Sequence, residues 1–165
     1  MTPTLHYVSG GTFFIEVQQP ADLGILAEWS GFVDNEADAM GGLELDTALS
    51  CFDIAPQSRE AALRQAFQQA RLVRGASGAR ELALFEDCAA PFFDARRVDV
   101  DTTYEPGDGE YYVAIIIEGS GYVEGDNWKE TVRKGDSLVF PASLDHRYAA
   151  GRAPLSIIRA LGPTL

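Results

Sequence analysis

Histidine and lysine are scarce in this 165-residue chain: His6 and His146 are its two histidines, and Lys129 and Lys134 its only lysines. A catalytic metal needs at least three good protein ligands, so a centre of imidazoles alone cannot be assembled from one copy. Cysteine is equally sparse. Cys51 and Cys88 are far apart, with no C-x-x-C pair, which excludes a disulfide framework and points to two reduced thiols in a cytoplasmic protein. No targeting segment is visible. The longest apolar run, VAIII at 113–117, is far too short to span a bilayer. Positive charge is also in short supply. The net charge is −12, which disfavours nucleic acid and anionic membranes as partners. It leaves a phosphorylated small substrate open, because local charge decides that. No arginine or lysine precedes Arg59, so a phosphate site within the first 58 residues is not expected.

What the chain does have is a core and many turns. Hydrophobic residues make up 46% and there are 16 glycines and 8 prolines, the composition of a mainly β domain with short strands. Residues 4–9 and 12–18 read as strands around a glycine turn, and 23–29 as a third. Residues 33–42 read as an acidic loop. Apolar spacing (Leu45, Ala48, Leu49, Phe52) predicts a short helix before Pro56. A second helix begins near Ser58, a plausible N-cap, with Leu63, Ala66, Phe67 and Ala70 as the stripe facing a core. RGASGA at 74–79 reads as a linker or helix stop.

From residue 81 the pattern is strands only. RVDVD at 97–101 alternates, as a half-buried strand does, and EYYVAIII at 110–117 is apolar on both faces. Turns at Gly119-Ser120-Gly121, Gly125-Asp126-Asn127 and Lys134-Gly135-Asp136 punctuate seven or eight strands, the number an antiparallel jelly-roll barrel needs. The expected organisation is therefore 1–79 as partial strands plus connecting helices and 80–165 as the barrel.

The segment IEGSGYVEGDNWKETVRKGDSLVFPASLDHRY resembles the cupin superfamily. Gly135, Pro141 and His146 fall in register with the second cupin motif, with Ser143 where glycine is usual. In the first motif, H-x-H-x3-E-x6-G, Gly119 anchors a register that puts Tyr112 in the glutamate slot and Pro106 and Asp108 in the histidine slots. The barrel is thus expected to be metal-free, and His146 to be a structural or rim histidine. Tyr111, Tyr112 and Trp128 are candidates for a sugar-binding mouth, core packing being the plainer alternative.

A resemblance over the whole chain is more specific. LHYVSGGTFFIEVQQPADLGILAEW, ALSCFDIAPQSREAAL and VAIIIEGSGYV…VRKGDSLVFPA are similar, in order and spacing, to type I mannose-6-phosphate isomerases. What this resemblance implies is a two-cupin metalloenzyme with zinc in its first barrel, interconverting mannose 6-phosphate and fructose 6-phosphate. His6 stands at the histidine ligand, Glu16 at the strand glutamate, and Gln18 and Asp22 at substrate-side positions. Leu26 stands where some relatives carry arginine, Tyr7 where alanine is usual, and the upstream ligands are absent. The expectation is an isomerase-like scaffold, inactive or weakly active alone, partnered by an upstream catalytic half or a second copy. The alternative is a non-catalytic cupin module for sugar binding, oligomerisation or regulation.

Overall fold

The structure, a computed structural model, describes residues 11, 13–17, 24–26, 29–31, 33–52, 55–107 and 109–163, except the side chains of 65, 66 and 88. Two compact units divide at Leu63 and Arg64. In the first, residues 13–17 and 24–26 are not strands. The strands expected there are therefore not formed at the described positions; 4–9 lies outside them. The run at 33–42 is not all loop, because Asn35 caps a short helix, α1 (Glu36–Ala39), accepting from the Asp38 amide at 2.9 Å. Asn at an N-cap satisfies an otherwise orphaned donor. Helix α2 (Leu45–Ser50) forms as its spacing predicts, and its Ala48 packs with Ala39 and Met40 in a small core edged by Ile25, Trp29, Val33 and Leu43.

Helix α3 (Arg59–Ala66) starts where Ser58 predicts it, the Ser58 hydroxyl accepting from the Ala61 amide at 3.1 Å. It is shorter than expected, and Leu63 and Phe67 are exposed, so the predicted stripe does not face a core. After residues 67–70, which are without regular structure, the chain enters β1 (Arg71–Ala76) and β2 (Ala79–Ala83), an antiparallel hairpin. The segment 74–79 expected to be a linker is instead the end of β1, the turn at Ser77-Gly78 and the start of β2. Gly78 is what permits the turn: its φ is +96°, and a Cβ there would lie 1.9 Å from the Thr102 hydroxyl.

The remaining strands are β3 (Asp94–Val100), β4 (Thr103–Tyr104), β5 (Tyr112–Glu118), β6 (Ser120–Gly125), β7 (Trp128–Arg133), β8 (Ser137–Phe140), β9 (Arg147–Ala150) and β10 (Leu155–Leu161). They form one sheet in the order β1-β2-β3-β10-β5-β8 and another in the order β4-β9-β6-β7. This is the mainly β, jelly-roll barrel expected from the strand count. Val98, Val100, Ile116, Val123, Val132, Leu155 and Ile157 fill it. Alternation on β3 buries Val98 and Val100 as predicted, yet Asp99 is also buried. It is held by Ser156 at 2.7 Å, Arg97 at 2.8 Å and Arg80 at 3.0 Å. Burial alone would raise its pKa; these donors outweigh burial and hold it below the ordinary aspartate value. No helix among the described residues is long and apolar enough to cross a membrane.

The Gly119-Ser120-Gly121 turn brings three strands together. A Cβ on Gly119 (φ +78°) would lie 2.1 Å from the Pro154 carbonyl oxygen, and one on Gly121 would lie 2.2 Å from that of Ala149. Gly135 (φ +96°) also needs glycine, but nothing lies within 4 Å of its added Cβ. Gly135→Ala should therefore cost only the conformational penalty, about 1 kcal/mol. Gly119→Ala should cost well over that, because backbone must move as well. Urea unfolding of the two variants measures the difference, and equal losses would contradict the close approach to Pro154.

Candidate functional site at the barrel mouth

Alternation along β10 directs Leu155, Ile157, Arg159 and Leu161 to one face, the inside of the barrel. A guanidinium in an apolar interior must be paired. Arg159 is fully buried and ion-pairs with Glu81 at 3.1 Å, while the same nitrogen donates to the Tyr104 hydroxyl at 3.1 Å. Its guanidinium carbon lies 4.1 Å from the centre of the Tyr112 ring. Glu81 is shared: Arg96 reaches it at 3.2 Å and Arg74 at 3.3 Å. Burial raises the Tyr104 pKa, against the lowering effect of Arg159.

Above this ion pair lies an aromatic floor. Tyr112 stacks on Phe140 with centroids 5.0 Å apart, and Phe140 stacks on His146 at 4.2 Å. Hydrogen bonds order the same groups. The Leu144 carbonyl can only accept, so its 2.7 Å contact with His146 is a bond from Nδ1–H. The His146 Nε2 bonds to the Tyr112 hydroxyl. The Tyr112 and Tyr148 hydroxyls share a further hydrogen bond, 2.9 Å long. Burial, followed by the neighbouring Tyr112, pushes the Tyr148 pKa far up.

A cavity of about 800 Å³ opens over this floor. Its wall includes Trp128, Tyr112 and His146, and the tip of the β6–β7 hairpin forms one side. Gly125 shapes that side: an added Cβ would lie 2.3 Å from the Trp128 indole nitrogen, so only glycine lets the indole lie against the strand. Five carboxylates line the mouth, from Glu105, Glu110, Glu124, Asp126 and Asp145, against the cations Lys129 and Arg147.

The two residues in cupin metal-ligand slots thus meet at the mouth, but they bond to each other. The Nε2 atom a metal would use is engaged by the Tyr112 hydroxyl, and Pro106 offers no side-chain donor. Among the described residues no group of three His, Cys, Asp or Glu side chains converges. Among the described residues of the mouth, His146 is therefore the one imidazole, and it is engaged by Tyr112 rather than grouped with the three protein ligands a catalytic zinc takes. Asp108 lies outside the described residues, as do His6, Gln18 and Asp22 from the N-terminal resemblance; Glu16 is exposed in a segment without regular structure. Sequence reasoning offered Tyr112 and Trp128 as mouth residues with core packing the plainer alternative, and His146 as structural or rim; Tyr112 is buried in the core, Trp128 packs against it, and all three line the cavity. Sequence reasoning missed Arg159 and Glu81, whose signal was an arginine within the apolar alternation of LSIIRAL and a glutamate on the neighbouring inner face.

No protein-family model and no curated protein matches the chain. Solved structures do. The mannose 6-phosphate isomerase of Bacillus subtilis superposes with a TM-score of 0.55 at 15% identity, over 72% of this chain and 34% of that one. The chain therefore spans about a third of that isomerase. An RmlC-like cupin from Shewanella frigidimarina gives 0.48 at 20% identity, over 60% of this chain and 91% of that one. Ectoine synthase from P. lautus gives 0.47 at 14%, over 56% and 69%. At such identities the likeness is one of fold, and the barrel has the cupin fold.

Two outcomes test the floor. Glu81→Leu strands the buried Arg159 charge and should cost about 3–5 kcal/mol in urea unfolding, with partial recovery in the Glu81→Leu, Arg159→Leu double variant. Tyr148 keeps its proton when folded but loses it when unfolded above a pH of about 10, so its contribution holds below that pH and drains away above it. The fall of stability between neutral and strongly alkaline pH should be shallower in Tyr148→Phe than in the natural protein. Identical slopes would remove Tyr148 from this role.

Proposed function

We propose that this chain is a non-catalytic cupin module that binds a small polyhydroxylated ligand, of the sugar class, at the barrel mouth. One observation carries the reading: Tyr112 and His146, in the slots where a catalytic cupin holds its metal, are joined by a hydrogen bond beneath an open, aromatic-walled cavity. Aromatic faces pack on the apolar faces of sugar rings, and a rim of carboxylates and amides accepts and donates to hydroxyls. The likeness to a mannose 6-phosphate isomerase, here in fold and in the sequence of residues 5–22, supports a sugar as the ligand class.

A second reading keeps the isomerase activity that the resemblance implies. Zinc would be held by His6 and Glu16 with ligands supplied by another chain, and Gln18 and Asp22 would face the substrate. It rests on the match of LHYVSGGTFFIEVQQPAD to the isomerase pattern.

Calorimetric titration with mannose and fructose separates the readings. Binding should be seen, and Trp128→Ala should weaken it about tenfold, the worth of one aromatic contact. The purified chain should not interconvert mannose 6-phosphate and fructose 6-phosphate. Stoichiometric zinc together with turnover lost in His6→Ala would replace this proposal with the second reading.

A further inference from the structure

Among the described residues that line the mouth, the cations Lys129 and Arg147 are held in one place. Glu124 on β6 lies directly opposite Lys129 on β7 and Arg147 on β9 in the strand register. Its carboxylate takes Lys129 at 2.9 Å through one oxygen and Arg147 at 2.8 Å through the other. Lys129 is held again by the Tyr122 ring, 4.1 Å below its ammonium. Glu124 is the most sheltered member, its side chain 18% exposed against 53% for each cation. A hydrogen bond from Lys129, then one from Arg147, lowers the Glu124 pKa, so the clasp stays charged through the neutral range.

We infer that Glu124 sets the charge specificity of the mouth: by engaging Lys129 and Arg147 together it leaves no cation for a phosphate, so the cavity takes unphosphorylated ligands. Phosphate esters are recognised by arginine, lysine or a helix N-terminus aimed at the anion. At this mouth the two candidates already share one carboxylate. The other lining carboxylates, Asp126 and Asp145 among them, add repulsion for a dianion. The inference rests on the mouth being the binding site proposed above, and it deepens that reading by naming the ligand's charge.

The test uses calorimetry in low salt, where surface charges are least screened, on the whole chain. The probes are mannose, mannose 6-phosphate and inorganic phosphate. The natural protein should bind mannose about tenfold or more tightly than the 6-phosphate, and inorganic phosphate not detectably. Glu124→Gln should narrow the sugar gap and gain phosphate binding. Adding Lys129→Met and Arg147→Met should abolish that gain. Near-ultraviolet circular dichroism confirms that each variant keeps the native packing. Equal or tighter binding of the 6-phosphate by the natural protein overturns the inference, as does a Glu124→Gln protein that gains no phosphate affinity. If mannose fails to bind while Glu124→Gln gains phosphate, the sugar reading falls and the role of Glu124 stands.

Discussion

The charge of Arg159 inside the barrel is the constraint on which the site depends. An arginine on the inner face of β10 interrupts a line of Leu155, Ile157 and Leu161, and its desolvation must be offset. Glu81 from β2, Tyr104 from β4 and the face of Tyr112 from β5 do so together. The pair therefore ties strands of both sheets to one point beneath the mouth. This makes the β1–β2 hairpin part of the barrel's chemistry. Without it, Arg159 would lack its carboxylate.

The aromatic floor follows from that tie. Tyr112 is held from below by the guanidinium, from the side by Phe140, and through its oxygen by Tyr148 and His146. A side chain fixed on so many sides has little freedom left to lose on binding. The cavity above it is consequently a preformed surface whose rigid part is aromatic and whose rim is charged. An internal ion pair and a run of hydroxyls organise it.

The barrel itself was legible in the sequence because its signals are local. Glycine turns, the alternation of RVDVD and the two-faced EYYVAIII each report on a few adjacent residues. The strands read at 13–17 and 24–26 were over-read for the same reason: β-rich composition is a local signal, and at these described residues it forms no ladder. The β1–β2 hairpin was missed because Leu72 and Val73 follow a helical run without a break, and both are exposed. A partner in space, Glu81 with its three arginines, decides the conformation there. The mouth was half legible. His146 and Trp128 stand out by rarity, whereas the Arg159–Glu81 pair spans 78 residues of sequence, beyond any local pattern.

The placement of β10 has a consequence for how the protein is made. It lies between β3 and β5 and, among the described strands, joins the β1-β2-β3 and β5-β8 parts of the larger sheet. Until it arrives, each part presents a bare edge whose amides and carbonyls can pair with any strand nearby. Assembly of the barrel is thus gated by the longest-range pairing in it, which slows closure. During synthesis the protein passes through a window in which two half-sheets wait for their shared middle strand, and chaperone protection matters most in that window.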